Sequence, residues 1–342
     1  MFITEAVKVN RNGHLEIGGC DCIDLAREFG TPLYVIDEAT VRNRCRIYSN
    51  AMKKYYNGRG SVLYASKAFC TKAMCSIIKN EGLGLDVVSG GELYTALKAD
   101  FPIEKIYFHG NNKTPEELRF AVDKGIGRIV VDNFEELEML DKIASSLNKV
   151  VKVLFRIKPG IDAHTHDFIK TGHIDSKFGV ALETGEAEEI IISAAKKKHL
   201  EVAGIHCHIG SQIFDLEPFI LTAEVMLNFM HSMKGRHGIE LSELNLGGGY
   251  GIKYNEADDP VEYDKYIEAV SETVKDICGR KGLKPPYILM EPGRSIVGPA
   301  GITIYTVGSV KEIKNVRKYV SVDGGMTDNP RYILYGSKYE VV

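Results

Sequence analysis

Lys67 closes the stretch YASKA at 64–68, directly after the apolar run VLYA at 62–65. An amine there either runs along its own apolar stem into water, the ordinary habit of a strand-end lysine, or acts as a nucleophile toward a carbonyl. Three further motifs bear on the choice. GIHCHIGSQ at 204–212 carries His206 and His208, two apart and therefore on one face of a strand, with Ser211 in the turn after them. NLGGGYG at 245–251 holds Gly247, Gly248 and Gly249, whose backbone N–H groups can approach and cradle a phosphate. EPGRS at 291–295 supplies a carboxylate, Glu291, and a forked donor, Arg294, around the turn residues Pro292 and Gly293.

The histidine pair has three readings: a metal pair, an aromatic platform for a flat cofactor, or one core histidine with a neighbour at the solvent edge. A metal-dependent hydrolase needs further ligands, and no Asp or Cys partner at a comparable strand end is obvious, so no metal is assigned. Gly-Gly-Gly alone reads as a flexible turn. Taken together, the amine, the phosphate cradle, the acid and the platform suggest a Schiff base with an aldehyde cofactor, and pyridoxal phosphate fits all four. Its phosphate would go to the glycines, its aldehyde to Lys67, its ring face to His208 and its ring nitrogen to Glu291. A carboxylate at that nitrogen keeps it protonated, so the ring can accept electrons released at a substrate Cα.

These residues need a scaffold that brings strand ends together. Eight strand-like runs recur: VLYA at 62–65, GLDVV at 84–88, KIYFH at 105–109, RIVVD at 128–132, VKVLFRI at 151–157, VAGIHCH at 202–208, LSELNL at 241–246 and YILME at 287–291. Segments of helical period separate most of them, including 114–125, 133–147 and 217–235. Periodicity alone leaves both an eight-stranded (β/α)8 TIM-type barrel and an open doubly wound sheet. The motifs favour the barrel, because its working face is the carboxyl end of the strands and its phosphate sites follow strands seven and eight. Alternating runs in the first 30 residues and after Pro299, with no helical segment expected beyond residue 291, imply a second, β-rich domain built from both termini. The expected organisation is 1–30 for the N-terminal strands, 31–291 for the barrel and 292–342 for the C-terminal β part.

Composition narrows the function classes. With 342 residues the chain exceeds the roughly 250 of a barrel. A formal net charge of -3 offers no basic field for nucleic acid, and no run of 18 apolar residues is present to span a bilayer. The start MFITEAVKVN lacks a cationic stretch followed by an apolar core, so no signal peptide is read and a cytoplasmic protein is expected. Seven cysteines, an odd number without a CxxC, read as reduced thiols.

Across nearly its whole length the chain resembles diaminopimelate decarboxylase, of the alanine-racemase-like class of pyridoxal-phosphate enzymes that includes eukaryotic ornithine decarboxylase. YASKA, HxGS, GGG and EPGR resemble the wider class; PGIDAHTH with DSKFG, and GGMTDNPR, resemble the diaminopimelate branch. The resemblance implies that Lys67 carries the cofactor and His208 stacks on its ring. It puts Ser211, Gly248 or Gly249, and Arg294 at or beside the phosphate, with Pro292 and Gly293 in the same turn, and Glu291 at the pyridine nitrogen. Arg294, Arg331 and Tyr335 look like substrate contacts, where a guanidinium can grip a distal carboxylate. The implied reaction is loss of CO2 from meso-2,6-diaminopimelate at its D-configured centre to give L-lysine, in a homodimer with shared active sites. The His-rich loop with His164, His166, His173 and Asp175 is implied to be an active-site rim. Asp86 and Glu92, around a Gly-Gly turn that opens a helix, are read as capping charges, with Asp86 also a candidate for touching the cofactor environment.

The sequence departs from the resemblance at its end. After GSKYEVV the family continues with a Cys-Glu-Ser-Gly-Asp motif, whose cysteine reaches the partner's site and whose glutamate contacts substrate, and with a later tyrosine. On this reading the C-terminal β domain is incomplete, with strand edges left unpaired. Two alternatives therefore stand beside the decarboxylase: a pyridoxal-phosphate decarboxylase of another basic amino acid or polyamine precursor, and a catalytically incomplete cofactor-binding protein.

Overall fold

In the computed structural model, which describes residues 4–161 and 176–342, each of the eight apolar runs forms a parallel strand. They are β1 (Gly60–Ala65), β2 (Gly84–Val87), β3 (Ile106–Phe108), β4 (Arg128–Val131), β5 (Val151–Lys158), β6 (Leu200–His206), β7 (Glu243–Asn245) and β8 (Tyr287–Met290). Each pairs with the next in sequence, and β8 returns to β1 through Ile288↔Gly60 and Met290↔Val62, so the eight strands close into a barrel, with the short strand Val180–Ala181 added alongside β5. Leu63, Tyr107, Val130, Leu154, Ala203 and Leu289 fill the interior as one buried cluster. At Gly204 a side chain would run into the Glu243 carbonyl, so only glycine lets β6 and β7 lie this close.

The helices start where local chemistry says they should. The helix α1 (Lys72–Asn80) begins at Thr71, whose hydroxyl accepts from the Met74 N–H at 3.1 Å, and α2 (Gly90–Lys98) begins at Ser89. In α3 (Pro115–Lys124), Thr114 and Glu117 form a reciprocal capping box, with Pro115 in the first turn and Gly125 left-handed at the end. Asn133 caps α4 (Phe134–Ser146). Longer helices Glu217–His237 and Tyr263–Lys281 follow β6 and β7.

The chain divides into two units: the barrel unit, Arg44–Gly251 with Pro260–Ser295, and a β-rich unit of Met1–Asn43, Ile252–Asp259 and Ile296–Val342. In the second, Leu33–Ile36 pairs antiparallel with Gly301–Ile304, joining the N-terminal and C-terminal parts of the chain in one sheet. Val7, Ile17 and Cys22 form its small core. Val307–Ile313 and Arg317–Val322 make an antiparallel hairpin. The expectation of no helix beyond residue 291 is corrected by Arg294–Val297 and Arg331–Tyr335. Four- and five-residue helices are shorter than the window in which a 3.6-residue period can be seen.

Candidate active site

The ends of four strands converge on one carboxylate. Glu291 follows β8, is buried, and ties its N–H to the Gly247 carbonyl at 2.8 Å. Asn245, at the end of β7, donates from Nδ2 to Glu291 Oε1 at 2.6 Å, while its own Oδ1 accepts from the Gly247 N–H at 2.9 Å. His206, at the end of β6, lies with Nε2 3.2 Å from Glu291 Oε2. His109, just past β3, brings Nε2 to 2.8 Å from Oε1, a close approach that is not aligned as a hydrogen bond. The two rings meet edge to face with centroids 4.8 Å apart.

Beside this group lies Asp86, in β2. Its Oδ2 is 3.5 Å from Lys67 Nζ and its Oδ1 is 3.7 Å from His109 Nε2, yet neither oxygen makes a hydrogen bond in its buried position. Lys67 sits in a single turn, Ser66–Ala68, with its side chain 51% exposed. Ser66 anchors that turn with its hydroxyl, whose single proton is shared between the Asp86 carbonyl at 2.7 Å and Glu92 Oε2 at 2.8 Å.

Charge here is set by burial and neighbours. Burial pushes the Asp86 carboxyl up, against the pull of His109 and Lys67. Burial would raise Glu291 too, but the imidazoles of His109 and His206 beside it hold it well below the usual carboxylate range. His206 is pushed down to about 3, by burial first and with Glu291 opposing. A neutral His206 with its proton on Nε2 donates to Glu291 and leaves Nδ1 as an unprotonated acceptor, which agrees with Nδ1 being buried without a partner. Burial, then Lys67 and Arg156, holds His208 well below its ordinary value, and its Nδ1 accepts the Gly248 N–H at 3.3 Å. Arg156, in β5 and 4.1 Å over the Phe178 ring, is lowered by burial.

Phosphate-sized chemistry lies on the same rim. Arg294 Nη2 donates to Ser211 Oγ at 3.2 Å. A side chain at Gly248 would collide with the Glu291 carbonyl, so the loop after β7 packs bare backbone against the turn after β8. Pro292 accepts the Ala65 N–H at 3.1 Å, and a Cβ on Gly293 would press on Ala65. This donor set fits pyridoxal phosphate: an accessible amine, a carboxylate held ionised, unfilled buried acceptors on Asp86 and His206, and a glycine loop beside a serine and an arginine.

The family model for the pyridoxal-dependent decarboxylases' pyridoxal-binding domain matches residues 38–298. A diaminopimelate decarboxylase of Bacillus methanolicus is 51% identical over 342 residues, all of this chain and 79% of the relative. The chain belongs to the diaminopimelate decarboxylase family. A second member, from Bacillus subtilis (strain 168), is 49% identical over 99% of this chain and 77% of its own. The crystal structure of diaminopimelate decarboxylase from M. jannaschii in co-complex with L-lysine superposes with a TM-score of 0.92 at 36% identity, covering 99% of this chain and 78% of that one.

Within this family's fold, Lys67, His208, Ser211, Gly248, Gly249, Glu291, Pro292, Gly293 and Arg294 all lie in the barrel unit. Arg331 and Tyr335 lie in the β-rich unit, where Arg331 is flanked by the rings of Tyr254 at 5.1 Å and Tyr335 at 5.3 Å and donates to Ser337 Oγ at 3.2 Å. The loop residues His164, His166, His173 and Asp175 fall outside the described residues. β6 ends at His206, so His208 stands just beyond the strand. Asp86 is not a cap: Ser89 caps α2, and Glu92 accepts from the Val88 N–H at 2.7 Å. Sequence reading missed His109, Asn245 and Arg156. The signal was available for the first two, since each stands at the end of a barrel strand.

Proposed function

We propose that this chain decarboxylates meso-2,6-diaminopimelate to L-lysine and CO2 with pyridoxal 5'-phosphate held at the barrel mouth. The observation that carries this reading is the half-exposed Lys67 amine, 3.5 Å from a buried Asp86 carboxylate that has no hydrogen bond, on the same rim as Glu291. When bound, the cofactor supplies an electron-accepting ring that takes up the pair left on Cα as CO2 departs.

The chain's own residues do the rest. Lys67 holds the cofactor's carbonyl carbon. Asp86 stands beside that amine, with Oδ2 3.5 Å from its Nζ. Glu291, fixed by Asn245 and His206, presents a carboxylate to the ring nitrogen, and His208 gives its imidazole face to the ring. Ser211, Arg294 and the backbone of Gly248 or Gly249 hold the phosphate. Arg294, Arg331 and Tyr335 receive the substrate's distal carboxylate and ammonium.

Membership of the family supports two further parts of this reading: a homodimer with shared active sites, and a cytoplasmic location. Among the described residues no helix is long and apolar enough to cross a membrane. Sedimentation equilibrium of the holoprotein tests the dimer. For the reaction, CO2 release is followed with meso-diaminopimelate, L-lysine and L-ornithine offered separately. Release from meso-diaminopimelate alone, with L-lysine as product, is the expected result; release from ornithine or lysine instead overturns the substrate assignment.

A further inference from the structure

Two residues past the Lys67 turn, Cys70 stands immediately before Thr71, the cap of α1, and Cys75 lies in the first turn of that helix. Counted from the cap, these positions are the pair whose side chains meet across a helix start when both are apolar. The cap is well formed: the Thr71 hydroxyl takes the Met74 N–H, and the Thr71 carbonyl accepts the Cys75 N–H at 2.9 Å. At these positions the Cys70 and Cys75 side chains are neighbours across the start of α1, with Ser66 in the turn before them. Cys75 is 1% exposed, whereas Cys70 is only partly covered. Cys22, Cys45, Cys207 and Cys278 are buried, and Cys20, the remaining exposed thiol, lies in the other unit.

Electrostatics agrees with this geometry. The Cys75 thiol donating to Cys70 holds the Cys70 pKa below its ordinary value, while the same contact and burial raise Cys75. One sulfur is thus a partly accessible, more easily ionised nucleophile, and the other a buried, protonated partner one helical turn away.

We infer that Cys70 and Cys75 form an oxidisable dithiol, a modification site for hydroperoxides, whose closure to a disulfide displaces the Lys67 turn and weakens cofactor binding. With hydrogen peroxide, the Cys70 thiolate attacks one oxygen and breaks the O–O bond, forming a sulfenic acid and releasing the other oxygen as one water after protonation. The Cys75 thiol then attacks the Cys70 sulfur: the S–S bond forms, the S–O bond breaks, and the oxygen leaves as a second water. Two thiols are oxidised and one peroxide is reduced.

Closing the bond brings the sulfurs to about 2.0 Å. Cys75 is held inside α1, so the movement falls on the segment before the cap. That segment is short and tied to the site: the Phe69 carbonyl accepts from the buried Tyr64 hydroxyl at 3.0 Å, and Ser66 bridges to the Asp86 carbonyl and Glu92. Displacement at Cys70 therefore passes to Lys67 across two residues. This consequence rests on Lys67 being the cofactor lysine.

The test treats the full chain with hydrogen peroxide, then maps disulfides by mass spectrometry and titrates pyridoxal phosphate by absorbance before and after thiol reduction. The expected result is a linked Cys70–Cys75 peptide and a roughly tenfold weaker cofactor affinity, both reversed by reductant. In Cys75→Ser, Cys70 should pass to sulfinic acid without a disulfide, and Cys20→Ser should behave as the unaltered chain. No linked peptide overturns the proposal, as does a linked peptide with unchanged cofactor affinity. If the reduced chain binds no pyridoxal phosphate at all, the functional reading of the site fails instead, and the linked peptide still decides whether the dithiol exists.

Discussion

Two groups of buried charge at the carboxyl ends of neighbouring strands show what separates a structural ion pair from a site waiting for a ligand. After β3, Lys113 is 1% exposed and uses all three of its donors, on the Gly110 and Val130 carbonyls at 2.8 Å each and on Glu136 Oε1 at 2.6 Å. Glu136 closes the group by accepting the Asp132 N–H at 3.0 Å through its other oxygen. Around Glu291 the opposite holds. Both Asp86 oxygens and His206 Nδ1 are buried without hydrogen bonds, and Lys67 is half in solvent. Buried polar atoms are nearly always paired, so such vacancies cost stability unless a ligand fills them. A filled network reads as architecture and an unfilled one as function.

Substitutions can break or sharpen that contrast. Lys67→Ala is expected to reduce CO2 release by on the order of 10^3-fold or more while shifting the urea midpoint by less than about 0.5 kcal/mol in stability. Lys113→Met should do the reverse in kind, leaving Glu136 buried without its partner. A loss of about 3–5 kcal/mol in urea unfolding is expected, and Lys113→Met with Glu136→Leu should recover most of it. If the single change instead leaves stability intact and removes activity, Lys113 belongs to the site.

Smaller effects probe the mouth itself. Glu291→Gln keeps an acceptor for Asn245 but removes the charge, and should lower kcat/KM by about 10^2-fold in steady-state assays, with KM little changed. The smallest concerns pH. His206 is held at about 3 in the fold against about 6.5 when unfolded, so below 6.5 the unfolded chain binds a proton that the folded chain does not. Its contribution to stability therefore falls as pH drops from about 6.5 toward 3. Apoprotein melts between pH 7.5 and 4.5 should show a shallower decline in His206→Asn than in the unaltered chain.

Much of this was legible in the residues. Each barrel strand announced itself as a short apolar run, because a strand covered on both faces is apolar throughout. Lys67, Glu291 and the glycine loop were found by combining residue type with the rule that strand ends carry the chemistry. What sequence could not show was convergence. Nothing in KIYFH says that His109 meets His206 and Glu291, since strands 97 and 85 residues apart in number come together only when β8 closes on β1. Asp86 looked like a cap because it precedes a Gly-Gly helix start, yet Ser89 is the nearer and better cap, which frees Asp86 to sit within the mouth.

The most direct measurement asks which lysine takes the cofactor. The full chain is loaded with pyridoxal phosphate, fixed with borohydride, digested and sequenced by mass spectrometry. The pyridoxyl label is expected on Lys67, in the half-exposed amine beside Asp86, and absent from Lys113. A label on Lys113 or another lysine, with none on Lys67, would contradict the assignment of the mouth cluster as the active site.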